Sequence, residues 1–211
     1  MDTSDEGVEQ PNRRRLLTGA GIGAAGLAGG VIGAIGANAL RGDLDDQQLS
    51  LDVACDGATY RQTLFADRPD PGDLRGSPFS VQGFIYEAGT IKDDGFIPTE
   101  DGSLGIWMCT GFLIVHPGRP EPHVVTTQTY FFGGIGGEAV FPEDTLVSHG
   151  LEGANEVGVA TNRPVTGGTG IYLGANGRVR QEVTGFNTSL LFGTEFPASN
   201  FRFDFDVRYL R

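Results

Sequence analysis

Lysine is almost missing from this chain. Among 211 residues there are 15 Lys plus Arg against 27 Asp plus Glu, a net charge of −12. Lys92 is the one lysine, so arginine supplies nearly all positive charge. Outside the N-terminal Arg13–Arg15 run there is no basic cluster, which argues against a nucleic-acid partner. Cysteine is scarce as well: Cys55 and Cys109 stand alone, neither in a C-x-x-C pair, so a zinc site is not expected. The three histidines, His116, His123 and His149, do not form a ligand triad by spacing, and no metal or other cofactor is implied. After residue 66 no amphipathic helical period runs beyond about two turns. That absence excludes α/β architectures and leaves an all-β domain.

The N-terminal 39 residues read as a targeting segment. Residues 1–12 are polar and acidic, and Arg13-Arg14-Arg15-Leu16-Leu17 then resembles a twin-arginine export signal. Leu16–Leu40 carries no charge, is rich in Gly and Ala, and closes on Ala37-Asn38-Ala39, an A-x-A cleavage pattern. A transmembrane helix is the competing reading, because 25 uncharged residues can span a bilayer. The glycine content favours a cleaved signal, with no other membrane contact and a secreted or cell-envelope product. Export in turn makes a Cys55–Cys109 disulfide the expectation, two buried free thiols being the alternative. Such a bridge contributes about 4 kcal/mol in the chain-entropy account.

Residues 40–78 are acidic and broken by Asp67-Arg-Pro-Asp-Pro-Gly-Asp73, and read as a linker and irregular lead-in. From residue 79 to 211 the pattern is strands and turns. Phe79, Val81, Gly83, Ile85 and Glu87 share one face of a first strand. Leu104–His116 is apolar on both faces, which calls for cover on both, one by a lumen and the other by the lead-in segment or a neighbouring subunit. At the C-terminus Phe201, Phe203, Phe205, Val207 and Tyr209 alternate with Arg202, Asp204, Asp206 and Arg208, the pattern of a half-buried antiparallel strand. Seven or eight such strands joined by short turns give an antiparallel barrel or sandwich. Thr166-Gly-Gly-Thr-Gly-Ile-Tyr-Leu-Gly-Ala-Asn-Gly177 lacks the Lys-Ser/Thr of a phosphate loop and reads as a tight turn with one short helical turn.

That stretch, together with Phe84-Ile-Tyr-Glu-Ala-Gly89, Leu104-Gly-Ile106, Phe112-Leu-Ile-Val115, Tyr130-Phe-Phe-Gly133 and Asn200-Phe-Arg-Phe203, resembles the allene oxide cyclase barrel family, with the dirigent proteins as a more distant branch. The resemblance spans roughly residues 79–211. It implies a single eight-stranded antiparallel β-barrel with an apolar lumen, a homotrimer, and either guided cyclisation or binding of a hydrophobic small molecule. The family's carboxylate after an aromatic in the first strand corresponds to Glu87 after Tyr86. The companion asparagine of the plant cyclases is replaced by Gly89, and their lumen tyrosine has no counterpart in Leu146–Gly150.

Two readings of Glu87 stay open. Inside the lumen it is a desolvated carboxylate suited to acid–base work; at the barrel mouth it is hydrated and inert. Ile85, Trp107, Phe112, Tyr130 and Tyr172 are the candidate ligand-lining side chains, ordinary core packing being the alternative for the Trp and Tyr residues. Two function classes follow: an exported cyclase or isomerase, and a non-catalytic exported barrel that binds a lipid or secondary metabolite.

Overall fold

The computed structural model describes residues 44–63, 74–92, 94–114, 123–133, 144–152 and 156–210. The proposed signal segment, residues 1–39, lies outside them. Eight strands run in chain order, β1 Leu44–Gln62, β2 Pro78–Glu87, β3 Gly105–Ile114, β4 His123–Phe132, β5 Asp144–Glu152, β6 Ala160–Thr169, β7 Asn176–Leu190 and β8 Pro197–Leu210. Each pairs antiparallel with the next, and β1 pairs with β8, so the sheet closes into a barrel with no free edge.

The first strand lies where a linker was expected. Residues 44–62 form the longest strand of the barrel and pair with both β2 and β8. Its acidic residues concealed it. Leu49, Leu51, Val53 and Cys55 alternate into the core, while Asp52 on the opposite face is buried too. That burial comes from the β2–β3 connection, which folds back across the outside of the barrel. Asp52 Oδ2 accepts the amides of Gly89 (2.7 Å) and Ile91 (3.0 Å), and its Oδ1 accepts Arg202 Nε (2.5 Å). Further along, Tyr86 donates its hydroxyl to the Thr99 carbonyl and stacks edge-on against Phe96, ring centres 5.2 Å apart. Asp94 Oδ1 accepts the Phe186 amide at 2.9 Å, which ties the same strap to β7.

The glycine-rich stretch splits between two elements. Thr166–Thr169 ends β6, and Gly170–Tyr172 makes the single 3-10 turn. Gly170 takes φ +59°, the left-handed region that suits glycine. A Cβ on Gly168 would sit 2.6 Å from the Tyr172 carbonyl oxygen, so the turn can fold back onto β6 only over a glycine. This fold-back drops Tyr172 into one end of the barrel, against Phe132 (5.2 Å) and Tyr209 (5.4 Å).

β8 behaves as its alternation requires. Phe201, Phe203, Phe205, Val207 and Tyr209 are buried, and the outward charges join cross-strand pairs such as Arg208–Asp46 (2.5 Å) and Arg178–Asp206 (3.3 Å). These pairs are well exposed and add little stability each. The outer face of β3 to β5 carries an exposed apolar row beside the polar row Thr110–Thr127–His149. Phe112, Val125 and Leu151 are cross-strand neighbours in one row, with Phe112 54% and Leu151 53% exposed.

Candidate functional site

The inner wall has two characters. β8, β1, β2 and β3 contribute apolar side chains, among them Phe201, Phe203, Val53, Ile85 and Trp107. β4 to β7 contribute polar ones beside Leu146, Val165, Val179 and Val183: Thr126 and Gln128 from β4, Ser148 and Glu152 from β5, Arg163 from β6 and Gln181 from β7, all buried. They are placed there by period-two alternation. Gln128 and Thr126 follow Tyr130 on the inward face of β4, and Gln128 pairs across to Ser148 on β5.

At the centre Arg163 Nη1 pairs with Glu152 Oε1. The same carboxylate oxygen accepts Thr126 Oγ1 and Gln128 Nε2 (2.6 Å), and Oε2 accepts Gln181 Nε2 at 3.4 Å. Arg163 also donates Nη2 to the Thr126 carbonyl (3.0 Å) and Nη1 to Gln181 Oε1 (3.3 Å). Tyr130 extends the network by donating its hydroxyl to Gln128 Oε1 at 2.6 Å. A charge pair removed from water is tolerable only with its remaining hydrogen bonds made, and this one has nearly all of them. Arg163 Nε has no hydrogen-bond partner among the described residues, whereas the Trp107 indole N–H lies beside the hydroxyl of its cross-strand neighbour Tyr130.

Burial governs the titratable groups here. It lowers the Arg163 guanidinium from its ordinary value, though not out of the charged state. Desolvation raises the Tyr130 and Tyr172 phenols and the Cys55 thiol, and pushes Cys109 up to about 12. All four are neutral at physiological pH. Cys55 and Cys109 are buried and free, so the expected disulfide is corrected to two inert thiols.

The expected site residues fare unequally. Ile85, Trp107, Tyr130 and Tyr172 are buried on the lumen side. Phe112 is not with them; β3 alternates Trp107 and Cys109 inward and Phe112 outward, and its ring is exposed. Glu87 has the lumen-facing register, opposite Leu51, yet its side chain is exposed. The cause is its place at the end of β2. Pairing with β3 stops at Ile85–Gly105, so Glu87 overhangs its neighbour and reaches solvent. Glu87 is thus an exposed carboxylate at the end of β2. Of the histidines, His149 is exposed on β5, its Nδ1 3.0 Å from Thr127 Oγ1; His116 lies outside the described residues.

Sequence reasoning missed the buried carboxylate, Glu152, and its arginine. A signal was present: Gln128 and Thr126 share a face with Tyr130, an unusual run of polar residues on the side that carries an aromatic.

No family model matches the chain, and no curated protein matches it significantly. Among solved structures it resembles the pterocarpan synthase dirigent protein GePTS1, at 13% identity and TM-score 0.55, over 85% of this chain and 98% of that one. It resembles PsPTS1, another pterocarpan synthase dirigent protein, at 13% identity and TM-score 0.54, over 79% of this chain and 97% of that one. At such identity the likeness establishes the fold alone: a closed dirigent-like barrel.

Proposed function

We propose that this barrel binds a hydrophobic small molecule in its lumen and directs that molecule's ring closure or isomerisation through shape and hydrogen bonding. One observation carries the proposal: a hydrogen-bonded Arg163–Glu152 pair held inside the barrel, with the Arg163 Nε–H left over. Buried ion pairs are a poor route to stability, and hydrophobic replacement is often as stable or more so. Their retention is better explained by a ligand. Guidance by shape is favoured over acid–base chemistry because Glu152 already accepts four hydrogen-bond donors and Glu87 is in solvent. The same facts support the second reading, a binding barrel with no chemistry of its own.

The test is native mass spectrometry of the purified protein, followed by denaturing spectra. A mass excess lost on denaturation, traced to an apolar compound, supports the proposal. A bare protein mass, with Trp107 fluorescence unmoved by hydrophobic probes, overturns it. Trp107 is the chain's one tryptophan and lies in the lumen, so its emission reports occupancy.

Export by the twin-arginine route and trimeric assembly belong to the same proposal. Arg13→Lys with Arg14→Lys should trap the precursor in the cytoplasm, and unchanged secretion would refute that route. For assembly, the Phe112–Val125–Leu151 row is the contact surface. Light scattering should give a trimer mass that Phe112→Asp lowers to a monomer; a monomer mass for the unaltered protein would refute it.

A further inference from the structure

The polar wall of the lumen is short of acceptors. Arg163 is 1% exposed and buries its Nε–H with no acceptor among the described residues. The Trp107 indole N–H, with the hydroxyl of its cross-strand neighbour Tyr130 beside it, is provided for. A guanidinium N–H cannot change role and only donates. A buried donor without a partner costs roughly 1–3 kcal/mol, so this one favours a visitor that brings an oxygen lone pair. Glu152 and the side-chain oxygen of Gln181 cannot supply it, since both already serve Arg163 Nη1 and the Gln128 amide.

The charge state narrows the visitor further. Arg163 is balanced by Glu152 within the lumen, so the site as it stands is neutral. An anionic ligand would add a second negative charge beside Glu152 with no cation left to compensate it, in a medium where an uncompensated charge is expensive. A carboxylate or phosphate ligand is therefore disfavoured, although an arginine lies at the centre of the site. A hydroxyl brings a donor as well as an acceptor, and the lumen already has a donor to spare.

We propose that the lumen ligand is a neutral, largely apolar molecule bearing a carbonyl oxygen, and that the unpartnered Arg163 Nε–H selects for it. This rests on the lumen being the ligand site. It adds a statement about ligand class that the barrel shape alone does not make.

The experiment uses three probes of one ring system: 9-fluorenone, which is neutral with a carbonyl; fluorene, which lacks it; and fluorene-9-carboxylate, which is anionic. Affinities are measured by equilibrium dialysis on the full chain, with Trp107 emission reporting lumen occupancy. Fluorenone should bind at least tenfold tighter than fluorene, and the carboxylate no tighter than fluorene. Arg163→Lys keeps a cation for Glu152 but removes the Nε–H; whatever it does to fluorene, it should bring the ratio of fluorenone to fluorene affinity down to about threefold or less. The comparison of the three probes on the unaltered protein stands even if that variant folds poorly. Equal binding of fluorene and fluorenone, or tightest binding of the carboxylate, would overturn the carbonyl assignment and leave the lumen as a ligand site. Failure of all three to bind or to move Trp107 emission would overturn both proposals together.

Discussion

The two halves of the barrel interior solve the same packing problem by opposite means. The β8–β3 wall fills space with rings: Phe203 packs at 6.2 Å from Trp107, 5.2 Å from Tyr130 and 5.7 Å from Phe201. Stability there is a sum of many weak contacts, none of them obligatory. The β4–β7 wall fills space with a network in which each member satisfies another: Tyr130 serves Gln128, Gln128 serves Glu152, and Glu152 holds Arg163. Such a network is all or nothing, because losing one member strands the rest in a low dielectric. The difference teaches where function can reside. Packing contacts tolerate substitution, whereas a satisfied polar network in a dry interior fixes donors and acceptors at defined points.

The comparison breaks most visibly at the charge pair. Arg163→Met should lower stability by about 3–5 kcal/mol, since it leaves Glu152 buried without its cation. Arg163→Met combined with Glu152→Leu should recover most of that loss, because the stranded charge is gone. Urea unfolding of the single and double variants measures both. A double variant no more stable than the single would mean that the pair is not a mutually dependent unit.

Phe203→Ala on the opposite wall should cost a similar 3–5 kcal/mol, as a cavity is left among the rings. Truncating a neighbouring ring should add to that loss rather than reverse it. Recovery by a second truncation would remove the distinction between the two walls.

Tyr130→Phe sits at the junction. It keeps the ring against Phe203 and Phe205 but leaves Gln128 Oε1 without the hydroxyl that it accepts. A loss of about 1–3 kcal/mol is expected, the cost of one unsatisfied buried acceptor. A loss below about 0.5 kcal/mol would place Tyr130 with the packing wall alone.

Alkaline pH gives a smaller and graded perturbation. Cys109 is held by burial at about 12 against 9.0 for an ordinary thiol. Above pH 9 the unfolded chain releases this proton while the folded chain keeps it. Its contribution is therefore complete below pH 9 and is lost as pH rises through 12, by at most about 1.4 kcal/mol per pH unit. Cys55, Tyr130 and Tyr172 are shifted in the same direction and add to the slope. Urea midpoints should be flat from pH 7 to 9 and fall above it, less steeply in Cys109→Val. An identical slope in that variant would contradict the burial-driven shift.

The apolar wall was legible in the sequence and the polar wall was not, for a physical reason. Alternation in β8 shows directly, because from Phe201 to Tyr209 its inward residues are apolar and its outward ones charged. In β4 both faces are mixed: Thr126 and Gln128 point inward with Tyr130 and Phe132, while Val125 and Phe131 point outward beside Thr127 and Thr129. A rule that sends polar residues to water finds no clear inside in that strand. β1 was obscured in the same way, by Asp52, whose burial depends on amides from a strap some forty residues away. The Arg163–Glu152 pair joins residues on two strands that carry little alternation of their own, and only barrel closure brings them to Gln128 and Gln181.

The smallest effect expected concerns Glu87, and it separates the two carboxylates of the molecule that look alike in sequence. Glu87 ends β2 and is exposed; Glu152 ends β5 and is buried. Each is the last residue of its strand, so position in the strand does not distinguish them. What differs is the neighbour beyond. β3 stops pairing two residues short of Glu87, whereas Glu152 is still paired with Val124 and has Arg163 beside it. Glu87→Gln and Glu87→Leu should therefore each change stability by less than about 0.5 kcal/mol, the range of surface substitutions. Binding of a lumen probe should be unchanged as well, while Glu152→Gln, which weakens the ion pair, should disturb both. A melting temperature that rises by several degrees for Glu87→Leu would mean that Glu87 is desolvated in solution, and the candidate site would then extend to the opposite mouth of the barrel.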